Sequence, residues 1–222
     1  MSWLEATIHV IDFEGTRRSG VVEYGVVTLA GGELRGCATR LCAPAGELEP
    51  ADVRLHGIRE ADTEGCAPFG EERGRFAGLR GSGVLCAHHA QVEDALLRDV
   101  WPVPGTAPDW GRPGEAVAAW GPWLDTRALY ARLYPGLDTY KLGALVDTFR
   151  LGGRLAALGG VHCPPGRRRA HCALYDALAA GLLLLRLGEE EPGVAAQPLE
   201  WVMQASAASA AARGRMRQRD LL

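Results

Sequence analysis

The stretch from Ile8 to Thr16, reading Ile-His-Val-Ile-Asp-Phe-Glu-Gly-Thr, constrains this chain more than any other. β-Branched and aromatic residues crowd it and Gly15 breaks it, which predicts a strand. Side chains alternate faces along a strand, so Asp12 and Glu14 project from one face, roughly 6 to 7 Å apart. Two carboxylates at the end of an apolar strand have two readings. Either water solvates them, or a hard divalent cation such as Mg²⁺ or Mn²⁺ compensates their charge.

The 222 residues are enough for one good-sized core, and one main domain is expected. Hydrophobic residues at 47% and charged residues at 23% point to a globular protein, not a disordered or membrane one. The longest apolar run, Ala177–Leu185, is too short to span a bilayer. No basic segment followed by an apolar run opens the chain, so secretion is not expected. Six cysteines without a C-x-x-C pair argue against a disulfide framework and against structural zinc, and fit a reducing cytoplasm. With a net charge of −3, a polyanionic partner is not held by a globally basic surface. Local arginines or bound metal must supply that attraction.

Val21–Leu29 and Leu34–Leu41 are predicted strands, joined by the short Ala30-Gly31-Gly32-Glu33 link of an antiparallel hairpin. Leu48–Phe76 is polar and mixed, with a turn at His56-Gly57-Ile58 and a short helix starting near Glu60. Val84–Ala87 is a buried-type strand running into a helix that extends to Leu97, which implies a switch to parallel pairing. The proline- and glycine-rich stretch 102–122 reads as a loop with a short helix at Glu115–Trp120. A helix through Tyr134, capped by Asp125 or Thr126, and another over Thr139–Phe149 follow. Leu151–Arg169 is broken by glycines and a Pro164-Pro165-Gly166 turn, before an apolar helix over Ala170–Leu187. Residues 189–198 read as a linker. Leu199–Leu222 is an alanine-rich tail, helical over Leu199–Arg213, and its Arg213, Arg215, Arg217 and Arg219 are read as a solvated helix end in preference to phosphate contacts.

Two further stretches carry chemistry. In the helix Ala170–Leu187, Asp176 shares a face with Ala173, Ala177 and Ala180, small residues that let a backbone approach a sheet. Leucines cover the other side, so Asp176 is an interior acid in need of a partner, and a metal shared with Asp12 and Glu14 would supply one. His171 begins the same helix and can swing toward that spot. At the junction of strand and helix, Glu93 and Asp94 fall in the first helical turn, where the helix dipole alone favours acids.

In order, these motifs resemble the DEDDh group of 3′–5′ exonucleases, which includes the proofreading epsilon subunit of bacterial DNA polymerase III and ribonuclease T. The resemblance runs from Ile8 to about Leu187. The family's D-x-E strand is similar to Asp12-Phe13-Glu14, and its H-x-A-x-x-D-A motif to His171-Cys172-Ala173-Leu174-Tyr175-Asp176-Ala177. His56-Gly57-Ile58, Trp123-Leu124-Asp125-Thr126 and Tyr140-Lys141-Leu142-Gly143 resemble landmarks between them. The middle motif, A-H-N-A-x-F-D in the family, reads Ala87-His88-His89-Ala90-Gln91-Val92-Glu93 here. Glutamate replaces aspartate and histidine replaces asparagine. Asp94 is rotated about 100° around the helix from Glu93, so Glu93 is the better fourth acid, with Asp94 kept open.

The resemblance implies an α/β fold, an RNase H-like mixed five-stranded sheet flanked by helices. It divides the chain into an exonuclease domain over residues 1–188 and a linker with a helical tail over 189–222. It implies two divalent cations, Mg²⁺ or Mn²⁺, held by Asp12, Glu14 and Asp176 with help from Glu93, and His171 as general base. It implies contacts from Phe13, Gly15, Thr16 and His88 to the substrate, a nucleic acid with a free 3′ end, single-stranded DNA or RNA. Arg167, Arg168 and Arg169 are read either as phosphate contacts or as a solvated loop. A polymerase partner and a homodimer are compatible with the chain, and no motif supports either.

Two competitors remain. Asp12-Phe13-Glu14-Gly15-Thr16 also looks like the D-x-D-G-T motif of haloacid-dehalogenase-like phosphatases. Lys141, the only lysine, lies in a helix pattern and no later G-D-x-x-x-D follows, which sets that aside. The second is an exonuclease-like domain that binds nucleic acid or a partner without cutting, suggested by Glu93 alone.

Overall fold

Alternation along the opening strand decides how the molecule is layered. In a computed structural model that describes residues 2–207, β1 (Ile8–Thr16), β2 (Gly20–Ala30) and β3 (Glu33–Leu41) form an antiparallel meander. Both residues of the hairpin turn, Gly31 and Gly32, have positive φ (63° and 70°), the backbone of a two-residue turn that glycine adopts without strain. After α1 (Pro50–His56) and α2 (Arg73–Ser82), β4 (Val84–Ala87) pairs parallel to β1 and leads into α3 (Gln91–Val100). A small ribbon, β5 (Ala107–Pro108) with β6 (Ala116–Val117), precedes β7 (Trp123–Asp125), which pairs parallel to β4. The main sheet therefore has five strands in the order β3-β2-β1-β4-β7. The chain closes with α4 (Thr126–Leu133), α5 (Leu142–Thr148), α6 (Gly152–His162), α7 (Ala173–Glu190), α8 (Pro192–Ala195) and α9 (Leu199–Ala205).

Each face of the sheet has its own core. Ile8 and Val10 pack with Val27, Leu29, Cys86 and the leucines of α7, while Ile11 and Phe13 pack on the other face with Phe69, Phe76, Leu97 and Trp101. The period of two carries Asp12 and Glu14 onto the face of Ile8 and Val10, toward α7. The N-terminal end of α7 presses so close to β2 that a Cβ on Gly25 would lie 2.3 Å from the backbone of both Ala173 and Leu174. The small residues of α7 permit an approach that Gly25 completes from the sheet.

Several expected elements differ. Ala116–Val117 is a strand of the ribbon, not part of a helix over Glu115–Trp120, and Trp120 is buried with its indole N–H donated to the Trp101 carbonyl (3.0 Å). Two helices lack a strong sequence signal, α2 with three glycines and α6 with four. In α6 a Cβ on Gly159 would come within 2.9 Å of the Tyr175 ring, so tertiary contact selects a residue of poor helix propensity. The apolar helix spans Ala173–Glu190, which leaves His171 in the loop before it. The 189–198 stretch, read as a linker, is largely helical and packed: the Trp3 indole donates to the Val194 carbonyl (2.9 Å), and Val194, Leu199, Val202 and Met203 join the main core. Arg213, Arg215, Arg217 and Arg219 lie outside the described residues. All six cysteines are free, and among the described residues no helix is long and apolar enough to cross a membrane.

Two outcomes follow. Gly25→Ala forces α7 off β2 and is expected to destabilise by roughly 1–3 kcal/mol, read as a lower urea midpoint at unchanged m-value. His9 is buried, with ring nitrogens 3.0 Å from Thr28 Oγ1 and 3.1 Å from Ser82 Oγ, and burial lowers its pKa to about 4. The unfolded chain takes up a proton below about 6.5 and the fold does not, so this histidine subtracts stability as pH falls through that window. Between pH 7 and pH 4 the stability of the protein relative to His9→Gln is expected to fall by up to about 3 kcal/mol in urea titrations.

Candidate active site

The C-terminal half of β1, the turn after β4 and the start of α7 converge on one spot. Glu14, His171 and Asp176 each offer a ligand atom, and these atoms lie within 4.8 Å of one another. Glu14 is buried, Asp176 half-buried and His171 exposed. The His171 backbone is left-handed (φ 60°) and its N–H donates to Asp176 Oδ2 (2.9 Å), so loop and helix are latched by the acid itself.

Asp12 and Glu93 complete an electrostatic cluster with these groups. Burial, then the charges of Asp176, Glu14, Glu93 and Glu23, push the Asp12 carboxyl well above its usual range. Burial first, then Asp176 and Glu23, push Glu14 up to about 8, against the pull of Arg167 and Arg169. Burial raises Asp176 to about 6, with the His171 hydrogen bond and charge opposing. Glu93 is 4% exposed and rises to about 8, again chiefly through burial, opposed by its own backbone N–H and reinforced by Asp125 and Glu14. Its Oε2 is buried with no hydrogen-bond partner. Glu14, Asp176 and His171 could together hold a hard divalent cation, and the bare Glu93 oxygen, in electrostatic contact with Glu14, fits the same need for positive charge.

The neighbouring acid points elsewhere. Asp94 accepts from the Trp123 indole (3.0 Å) and pairs with Arg98 (2.6 Å). Asp125 is the cap of α4, accepting from Ala128 N (3.1 Å), and it also accepts from His89 N (3.2 Å) and Ala90 N (3.0 Å). One carboxylate thus shapes the turn that presents Glu93. In that turn His89 has φ 78°, a region that asparagine and histidine enter more readily than most residues.

Other expected site residues are occupied structurally. Phe13 is turned into the opposite core, against Phe69 (5.2 Å between ring centroids) and Phe76 (5.4 Å), because the strand period sends it to the face away from the acids. Both ring nitrogens of His88 are engaged, by Thr126 Oγ1 and the Tyr140 carbonyl (each 2.9 Å), and its pKa falls to about 4, mainly through burial. Gly15, at φ 127°, leaves no room for a Cβ, which would lie 2.1 Å from the Gly20 carbonyl oxygen, and Thr16 N binds Ser19 Oγ (2.9 Å). Both shape the β1–β2 turn. Arg167 binds Glu23, Arg168 the Cys163 carbonyl (3.3 Å) and Arg169 the His56 carbonyl (3.2 Å), so none of the three is a bare loop arginine. Glu23 is the acid that sequence reasoning missed; its signal is a lone charge in the otherwise apolar β2, which becomes visible once β2 is seen to be buried on both faces.

The architecture has known counterparts among solved structures. Exonuclease X, determined in complex with 5′ overhanging duplex DNA, superposes with a TM-score of 0.58 at 25% identity, covering 90% of this chain and 99% of that one. The nuclease domain of 3′hExo, a DEDDh family member bound to rAMP, gives 0.58 at 17% identity, covering 86% of this chain and 96% of its own. Exonuclease I from Methylocaldum szegediense gives 0.60 at 17% identity, covering 85% of this chain and 42% of its own. The chain has the DEDDh exonuclease fold. No protein-family model and no curated protein sequence matches it. Within the DEDDh fold, the five-stranded mixed sheet with β1 at its centre is the expected RNase H-like layout.

If the acids hold a cation, Mn²⁺ stabilises the folded state by mass action, about 2.7 kcal/mol at a hundredfold excess over Kd. Asp12→Asn removes the penalty of burying an ionisable acid among other carboxylates, so its metal-free midpoint is expected to rise while the Mn²⁺ shift shrinks. Thermal melts in EDTA and in Mn²⁺ check both; a wild-type midpoint indifferent to Mn²⁺ would refute the cation site.

Proposed function

We propose that this chain is a metal-dependent 3′–5′ exonuclease that removes nucleotides from the 3′ end of single-stranded DNA or RNA by hydrolysing the terminal phosphodiester. The observation that carries the reading is the meeting of Glu14, His171 and Asp176 within 4.8 Å, in electrostatic contact with Asp12 and Glu93. Its support from outside the chain is the fold shared with exonucleases whose structures hold DNA or RNA components.

Asp12, Glu14 and Asp176 would hold one divalent cation, with Glu93 contributing to a second. Bound there, Mg²⁺ or Mn²⁺ would supply the Lewis acidity that activates water and stabilises the leaving 3′ oxygen. The chain's own residues do the remainder. A ring nitrogen of His171 takes the proton of the attacking water; the exposure of the imidazole lets it pass that proton to solvent between turnovers. The Asp176 carboxylate holds the His171 backbone through its 2.9 Å bond. Asp125 fixes the turn that aims Glu93. The buried face of β1 limits water around the reacting phosphate and strengthens every charge interaction there.

The test uses 5′-labelled single-stranded DNA and RNA with Mg²⁺ or Mn²⁺. A ladder shortening from the 3′ end, abolished by Asp12→Ala, is the expected result; binding without a ladder in either metal would leave a nucleic-acid-binding domain instead. Glu93→Ala should lower turnover by roughly 10²-fold or more, as loss of a transition-state charge stabiliser does, whereas Asp94→Ala should leave most of it.

A further inference from the structure

Glu23 and Arg167 stand outside the cation-binding set, yet their contacts bear on the segment that carries His171. Glu23 lies directly opposite Glu14 in the β1–β2 register and is 2% exposed. Its Oε1 accepts from Arg167 Nε (3.0 Å), and its Oε2 accepts from Arg167 Nη2 and from the backbone N–H of Ala173 (2.9 Å). Arg167 Nη1 reaches on to the His56 carbonyl (2.6 Å), which Arg169 also holds (3.2 Å). The stretch between Arg167 and Ala173 is thus tied at both ends to a single carboxylate. His171 sits inside it, with an exposed ring and a left-handed backbone whose N–H bond to Asp176 is its one hydrogen bond among the described residues.

We infer that Glu23 and Arg167 are a positioning pair that clamps the 167–173 segment onto β2 and so holds the His171 imidazole over the Glu14 and Asp176 carboxylates. A non-glycine residue at positive φ persists only where its surroundings over-determine it, and here the surroundings are the Asp176 bond to its own N–H and the two anchors on either side. A bidentate guanidinium–carboxylate bond fixes direction as well as distance, which a lysine in the same place cannot do. The pairing also neutralises a fifth acid beside Glu14, so Glu23 is buried without competing for the cations. The link to turnover rests on the exonuclease reading above; the clamp itself does not.

The two are separated by measuring both conformation and activity on the full chain. Glu23→Gln keeps an acceptor for Ala173 N but loses the charge, and Arg167→Gln loses the fork. In metal-free protein each is expected to speed amide exchange at residues 167–173 by about tenfold or more while the β1 and distal α7 amides keep their protection. On single-stranded DNA each should lower kcat by about tenfold or more with KM within roughly threefold, the signature of a displaced base. The double variant should fall no further than the more impaired single one, since both break one interaction. Arg167→Lys should lie between wild type and Arg167→Gln, and it carries the comparison if either glutamine variant does not fold. Unchanged exchange at 167–173, additive losses, or protection lost evenly through the molecule would each overturn the clamp. A wild-type chain that cuts nothing would overturn the exonuclease reading, and the exchange data alone would then decide the clamp.

Discussion

Mutual repulsion among buried carboxylates is the constraint on which this structure depends. Asp12, Glu14, Glu93 and Asp176 are drawn from three separate elements to one partly desolvated spot, where burial raises the pKa of every one of them. Bringing like charges together out of water is unfavourable, and more so the lower the local dielectric. A protein that only had to fold would not keep such a cluster. Its cores on either face of the sheet, with the leucines of α7 on one side and edge-on and tilted aromatic rings on the other, supply the stability that lets it persist.

Close packing and electrostatics cooperate at the start of α7. Gly25 lets the helix backbone touch β2, and that contact delivers both the Asp176 side chain and the Ala173 N–H that Glu23 receives. On the opposite side of the site, Asp125 shapes the turn after β4 in the same manner, through backbone donors. In both places a carboxylate that is not itself a candidate ligand organises the chain that presents one. The candidate base, His171, has the least support of its own, which is why the anchors flanking it bear so much of the geometry.

Much of the fold was legible in the sequence. The strand at Ile8–Thr16, the glycine hairpin, the buried strand at Val84–Ala87 and the apolar helix carry strong local periodicity, and the resemblance placed them in a known order. The glycine-rich α2 and α6 were not legible, because tertiary contacts such as that of Gly159 with Tyr175 override their weak propensity. Nor was the ribbon strand Ala116–Val117, whose pairing partner Ala107–Pro108 is too short to show a period. At the site, Glu93 and Asp94 were adjacent acids in one helical turn; helix geometry favoured Glu93, and the engagement of Asp94 by Trp123 and Arg98 supports that choice.

The sequence by itself determined that two acids share one strand face, that a third lies on a helix with small residues around it, and that a histidine precedes that acid by five positions. Those facts follow from the fixed periods of strand and helix, which any reader of the chain can count. Only the tertiary structure decided that Phe13 is sealed against Phe69 and Phe76, that both ring nitrogens of His88 are bound, and that Glu23 meets Arg167. That last pair spans 144 positions. No local period relates residues so far apart; their meeting is set by how closely α7 can approach the sheet, a property of packing that becomes definite only when the whole core has formed.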